Sequence, residues 1–386
     1  MAESLAAATL PAIERGNGHG RAPVVIVGAG PAGLATAREL TRRGVRYRLF
    51  EKGPAPAHTW HNLYDSLTLH TGKHMSALPG LGYPRDTPLF PRRLDFVRYL
   101  DSYRERFGLN VETGVEVQRV VPGRASGWTV ETSDGAVDAA TVVMATGIVA
   151  SPMVPQFEGQ AAYRGRVLHS VEYRRPGPFA GRKVLVVGCG NSGGEIASEL
   201  AEAAVDVTLA VRSGANVVPL TILGVPVQYI AYGLRGLPDS VKKRVVQMIR
   251  EMTRLRRGPP VLPVPSYGPL ERIPLIGFNL IDAIRGGKVR VMPGIRSFVP
   301  RGVLFTNGTE REFDDAILAT GFRPALQPLQ GHVRVDHAGF ALRRDRVIST
   351  DHPNLFFVGH NYDATGGLMN IARDAPLVAE RIAGGP

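Results

Sequence analysis

The chain has one cysteine, Cys189, in 386 residues. A lone cysteine excludes an intramolecular disulfide and any Cys-x-x-Cys redox pair. Because Cys189 lies inside a glycine turn that calls for a small buried residue, it is not expected to act as a nucleophile. Acidic residues are also scarce, 34 against 46 Lys and Arg, for a net charge of +12. The surplus arginine is spread along the chain without a basic stripe interleaved with aromatics, so nucleic acid is not expected as a partner. Long hydrophobic runs are missing as well. The nearest, Asn216 to Leu234, is broken by Pro219, Gly224, Pro226 and Gly233 and interrupted by Gln228, which argues against a spanning helix. Residues 1–22 are rich in Ala and Gly and lack a basic start followed by a long apolar core. They read as a disordered tail rather than a signal peptide, and a cytoplasmic location is expected. His58, His61, His70 and His74 lie close together but with no carboxylate or cysteine set at ligand spacing, so no metal is expected.

Glycine, by contrast, is abundant, with 45 residues. Two glycine hexapeptides of one kind stand far apart, Gly28-Ala29-Gly30-Pro31-Ala32-Gly33 and Gly188-Cys189-Gly190-Asn191-Ser192-Gly193. Each follows an apolar run, Pro23 to Val27 and Lys183 to Val187, and precedes a stretch with helical character, Leu34 to Leu40 and Glu195 to Leu200. Such a turn brings backbone close to a pyrophosphate and aims the free N–H groups of a helix start at the anion. One hexapeptide is a weak signal, but two in strand-turn-helix context predict two bound dinucleotides.

The residue closing the next strand distinguishes the two sites. Val45 to Phe50 runs into Glu51-Lys52, and a carboxylate there accepts hydrogen bonds from ribose hydroxyls and repels a 2′-phosphate. Val205 to Val211 ends at Arg212-Ser213, where a guanidinium and a hydroxyl suit a 2′-phosphate. FAD is therefore expected on the first unit and NADPH on the second. A solvated surface arginine in an Arg-rich chain is the alternative reading of Arg212.

A second repeat marks where the chain crosses between units. Thr141 to Met144 and Ala316 to Leu318 are apolar strands ending in Ala145-Thr146-Gly147 and Ala319-Thr320-Gly321. Small residues at a strand end let backbone pass close to a cofactor or leave its sheet. The parse is an α/β fold with two Rossmann-like domains, an NADPH domain (156–315) inserted into a discontinuous FAD domain (23–155 and 316–386). Near the C-terminus a strand, Leu355 to Val358, leads to Gly359-His360. Then Thr365-Gly366-Gly367-Leu368 opens a helix from Met369 to Ile382, whose N–H groups would face the flavin pyrimidine.

Asp239 to Arg257 places Val241, Val245, Val246, Met248, Ile249, Met252 and Leu255 broadly at helical spacing among seven Lys and Arg residues. Two readings stand, a helix packed on the protein and an amphipathic element touching a membrane surface. Association into a homodimer is a further expectation.

Ahead of the second glycine turn runs Tyr163-Arg164-Gly165-Arg166-Val167-Leu168-His169-Ser170-Val171-Glu172-Tyr173. With both turns it resembles the fingerprint of the flavin-containing monooxygenases, among the class B flavoprotein monooxygenases; Tyr163 replaces the usual Phe. Thr59 to His70, Gly188 to Gly193 and Ala210 to Arg290 resemble the YUCCA-type indole-3-pyruvate branch. The resemblance implies an FAD- and NADPH-dependent monooxygenase that forms a C4a-(hydro)peroxyflavin and inserts one atom of molecular oxygen into a small organic substrate. It implies cofactor contacts from Trp60 and His169 and catalytic roles for His70 and Asn191. His70 as a packed histidine and Asn191 as a helix cap are the alternatives. The cofactors carry such chemistry, so few acid-base side chains are required of the protein. Two outcomes are open for the oxygen: N- or S-oxygenation, or carbonyl attack with decarboxylation of an aryl α-keto acid. The apolar loops Val217 to Leu237 and Val261 to Phe278 are expected to shape the substrate entrance. The alternative function is an NADPH oxidase or flavin reductase, whose usual thiol route the missing Cys-x-x-Cys removes.

Overall fold

The computed structural model describes residues 22–123, 126–268, 273–363 and 365–384. The expected N-terminal tail lies outside the described residues except for Ala22, which opens a strand, Ala22–Val27. Residues 269–272 of the second apolar loop lie outside them too.

Two sheets carry the molecule. Along its main path the larger runs Arg343–Arg344, Ile348–Ser349, Leu355–Phe357, Gly135–Met144, Ala22–Val27, Tyr47–Glu51 and Glu112–Thr113; Val117–Pro122 and Trp128–Thr132 pair off this path. Ala22–Val27 lies parallel to both neighbours. Its apolar run is unbroken because both faces are covered. Val24 and Ile26 join one core with Leu34, Leu40 and Val378, while Val25 and Val27 join another with Trp128, Val130 and Phe357. The second sheet is wholly parallel, in the order Val289–Met292, Asp206–Ala210, Lys183–Val187, Asp315–Leu318, Arg166–His169. Val184 and Val186 face one core and Leu185 and Val187 another, repeating the first arrangement.

Helices follow both glycine turns, Pro31–Arg42 and Asn191–Glu202, longer at both ends than the apolar spacing predicts. Pro31 sits at the first helical position, where its missing N–H and fixed φ cost nothing. The C-terminal helix spans Gly367–Ala383, starting before the expected Met369, and packs on Pro31–Arg42. One boundary needs correction. Asp315–Leu318, placed by the parse at the return to the first unit, is hydrogen-bonded between Lys183–Val187 and Arg166–His169. The chain leaves the second sheet after Leu318, not before Ala316. The repeated Ala-Thr-Gly ends drew the boundary too early, because each closes the sheet of its own unit.

Candidate active site between the two glycine turns

Each glycine of a turn has its own reason. Gly28 and Gly188 have φ of +97° and +104°, and a Cβ on either would come within 2.7 Å of Ala145 O or 2.6 Å of Ala319 O. A Cβ at Gly33 or Gly193 would lie 1.9 Å or 2.1 Å from the carbonyl oxygen of Gly28 or Gly188, so the helix can close on the strand only without it. At Gly30 and Gly190 a Cβ would meet no atom within 4 Å. Those two glycines clear space for something other than protein, at the start of a helix whose N–H groups favour an anion. The residues present therefore fit a pyrophosphate at both turns. The comparison also explains the second repeat, since Ala145 and Ala319 stand in the same place behind the first glycine of each turn.

The ribose positions differ by more than the sequence indicates. Glu51 is buried, accepting hydrogen bonds from Ala29 N and Gly53 N at 2.9 Å each. Gly28 N donates to Phe50 O and Gly188 N to Ala210 O, so Phe50 corresponds to Ala210. Glu51 then corresponds to Val211, and Lys52 to Arg212. The second unit has a buried valine where the first has its carboxylate, and a valine side chain cannot accept from ribose hydroxyls. Arg212 and Ser213 follow one step later, both exposed at the strand end.

A cavity of about 1090 Å³ joins the units. Gly28, Gly30, Pro31, Ala32, Glu51 and Lys52 line it, as do Trp60, Ala145, Thr146 and Gly147, and Gly359, Gly367 and Leu368 line it near the C-terminal helix. Asn191, Ser192 and Glu195 border it from the second unit, while Gly188, Gly190, Gly193, Arg212, Ser213 and Ala319 to Gly321 do not. Val217, Val227, Ile230, Ile273 and Ile276 give it an apolar wall, so the described parts of both apolar loops reach it.

His70 also lines this cavity, and its Nε2 lies 2.6 Å from Glu195 Oε1. Tyr64, buried, donates its hydroxyl to Glu195 Oε2 at 2.6 Å. Burial, and then the Glu195 charge, raises the Tyr64 phenol well above its usual range, so Tyr64 stays a donor. His70 and Tyr64 come from the long loop after the first unit's second strand; Glu195 comes from the helix behind the second glycine turn. Neither Tyr64 nor Glu195 stood out in the sequence. Once Asn191–Glu202 is known to be a helix, Glu195 falls one turn after Asn191 on the same side.

A family model described as pyridine nucleotide-disulphide oxidoreductase matches residues 25–219. An indole-3-pyruvate monooxygenase of Oryza sativa subsp. japonica, YUCCA1, is 35% identical over 375 residues, covering 93% of this chain and 90% of that protein. Another, YUCCA8 of Oryza sativa subsp. indica, is 36% identical over 317 residues, covering 78% and 75%. The flavin-containing monooxygenase from Stenotrophomonas maltophilia is 25% identical with a TM-score of 0.74, covering 94% of this chain and 98% of that one. The chain belongs to the flavin-dependent monooxygenases. Its cofactors are FAD and NADPH, and it is an oxidoreductase acting on a small molecule with molecular oxygen. An NADP+-bound cyclohexanone monooxygenase from Rhodococcus, 21% identical, shares the fold with a TM-score of 0.70 over 93% of this chain and 83% of that one. The thiol chemistry in the matching model's name has no counterpart, since Cys189 is buried and alone.

In this monooxygenase Ser170 and Val171 of the fingerprint line the cavity, while its Tyr163, His169 and Tyr173 side chains bind other parts of the protein. Tyr163 donates to Phe313 O at 2.9 Å, and a Cβ at Gly165 would lie 2.3 Å from the Tyr163 hydroxyl. His169 accepts from Val171 N at Nδ1, 3.2 Å, which leaves Nε2–H to donate to Gly321 O at 3.1 Å. Burial pushes its pKa down, in keeping with the neutral ring. Tyr173 donates to Glu199 Oε2 at 2.8 Å. The fingerprint thus clasps the returning strand and the second helix, and the His169 side chain holds Gly321. Asn191, which borders the cavity, also holds protein backbone. Its amide donates to Pro274 O at 3.2 Å and accepts from Ile276 N at 2.8 Å, which ties the second apolar loop to the glycine turn. It is not the helix cap either, because Gly190 holds that position. Among the described residues no group of His, Cys, Asp and Glu is arranged to hold a metal ion, and no helix is long and apolar enough to cross a membrane.

Proposed function

We propose that the monooxygenase takes an aryl α-keto acid and releases it as the acid one carbon shorter. One oxygen atom enters the new carboxylate and the other leaves as water; the old carboxylate departs as carbon dioxide, and NADPH supplies the electron pair. The carrying observation is the 35% identity to the rice indole-3-pyruvate monooxygenase across 93% of the chain. The apolar wall of the cavity supports it by suiting an aromatic body. FAD is assigned to the unit with Glu51 and NADPH to the unit with Val211 and Arg212, with the cytoplasm as the source of NADPH.

When bound, the cofactors supply hydride and activated oxygen. The chain's part is to bind, orient and exclude water. His70, held by Glu195 at the junction of the two units, is assigned to hydrogen-bond the reacting groups. Asn191 is assigned to holding the apolar wall in place rather than to a chemical step.

The test is product analysis with NADPH and oxygen on indole-3-pyruvate, phenylpyruvate, a tertiary amine and a thioether. Arylacetate from the keto acids alone supports the reading. Sulfoxide or N-oxide as the efficient product overturns it in favour of N- or S-oxygenation.

A further inference from the structure

The helix Asp239–Arg257 has no buried residue, and only part of its apolar arc is covered. Val245, Val246 and Ile249 line the cavity. Val241, Met248, Met252 and Leu255 are exposed, Leu255 at 85%. Beside them a short hairpin pairs Thr221–Ile222 with Val225–Pro226 and carries at its tip Leu223, 86% exposed. Leu223, Met252 and Arg256 border one shallow groove, so hairpin and helix form a single patch. A contiguous apolar patch of this kind marks an interaction surface.

Charge selects what covers it. The helix carries Lys242, Lys243, Arg244, Arg250, Arg254, Arg256 and Arg257 against Asp239 and Glu251 alone. A second copy would bring like charges together across a two-fold contact. An anionic bilayer surface satisfies both features, because cations meet headgroups while apolar side chains enter the acyl boundary.

We propose that this hairpin and helix dock the protein on an anionic lipid surface, with Leu223, Met248 and Leu255 inserted and Arg254 and Arg256 at the headgroups. Since the inner face of the same helix lines the cavity, docking sets the cavity wall against the lipid, the natural reservoir of an apolar substrate. Docking stands apart from the reaction assigned above and is measured without substrate.

The test is sedimentation of the full chain with phosphatidylcholine vesicles, with and without phosphatidylserine, over a salt series. The expected result is pelleting with the anionic vesicles only, loss as salt rises, and at least a tenfold drop for Leu223→Asp/Leu255→Asp with NADPH oxidation in solution unchanged. Arg254→Glu/Arg256→Glu, which leaves the apolar residues in place, is expected to lose the anionic preference as well. Failure to pellet, or pelleting indifferent to charge and to both variants, overturns the proposal. A dimer on gel filtration that Leu223→Asp/Leu255→Asp splits also overturns it and assigns the patch to a second copy.

Discussion

His70 and Glu195 face each other at 2.6 Å across the junction of the two nucleotide-binding units, although one belongs to a loop of the first and the other to a helix of the second. Glu195 also holds Tyr64, so a single carboxylate fixes two side chains of the opposite unit. Hydrogen bonds to a charged group contribute about 1.5–3 kcal/mol. Glu195→Gln keeps the shape and removes the charge. It is expected to retain FAD while coupled product per NADPH falls roughly ten- to a hundredfold. Product and peroxide yields measured together check this; unchanged coupling would leave the pair a surface contact only.

The glycine geometry separates folding from cofactor binding. Gly33→Ala puts a methyl 1.9 Å from Gly28 O and is expected to give little folded protein. Gly30→Ala meets no protein atom, so it should fold yet purify with much less FAD. Gly190→Ala should keep FAD and raise the KM for NADPH. Flavin absorbance per protein and steady-state kinetics distinguish the three.

With NADPH assigned to the second unit, nucleotide choice is expected to rest on Val211 and Arg212. With a valine in place of the carboxylate opposite the second turn, discrimination is expected to fall to the arginine, because charge-assisted bonds from a guanidinium to a 2′-phosphate are the strong kind. Arg212→Glu is expected to raise the KM for NADPH roughly tenfold or more with little change for NADH. An equal loss for both nucleotides would remove Arg212 from the site.

His360 predicts an acid limb in stability. It is 1% exposed, and neither ring nitrogen has a hydrogen-bond partner among the described residues. Burial, then the charge of Arg343, pushes its pKa down to about 3. The folded value lies below the unfolded value of about 6.5, so the unfolded chain takes the proton first. The neutral ring's contribution is complete above about pH 6.5 and declines as pH falls toward 3, by up to roughly 1.4 kcal/mol per pH unit. His169, also depressed by burial, acts in the same direction. Thermal midpoints should drop between about pH 6.5 and about pH 4.5, and His360→Leu should flatten the drop. A slope unaltered by the substitution would contradict this.

Much of this was legible in the sequence, and the failures share a cause. The glycine turns, their strands and their helices are local, so spacing and composition reveal them. Glu51 could be read because it ends a strand that a glycine turn dates. Counting placed Arg212 opposite it, but the hydrogen bond from Gly188 to Ala210 shows that Val211 holds that place. The motifs place His169 and Asn191 but do not reveal that their side chains bind backbone at Gly321, Pro274 and Ile276, which are distant in sequence. Tyr64 and Glu195, 131 positions apart, meet only through the packing of the two units, and no local pattern signals such a pair.

The most direct measurement of the central claim, that both turns serve one oxygen transfer, is single-product mass analysis under ¹⁸O₂ with NADPH consumption recorded alongside. The account predicts one labelled oxygen in the organic product for each NADPH consumed, with little hydrogen peroxide. NADPH consumed with stoichiometric peroxide and an unlabelled product would contradict it.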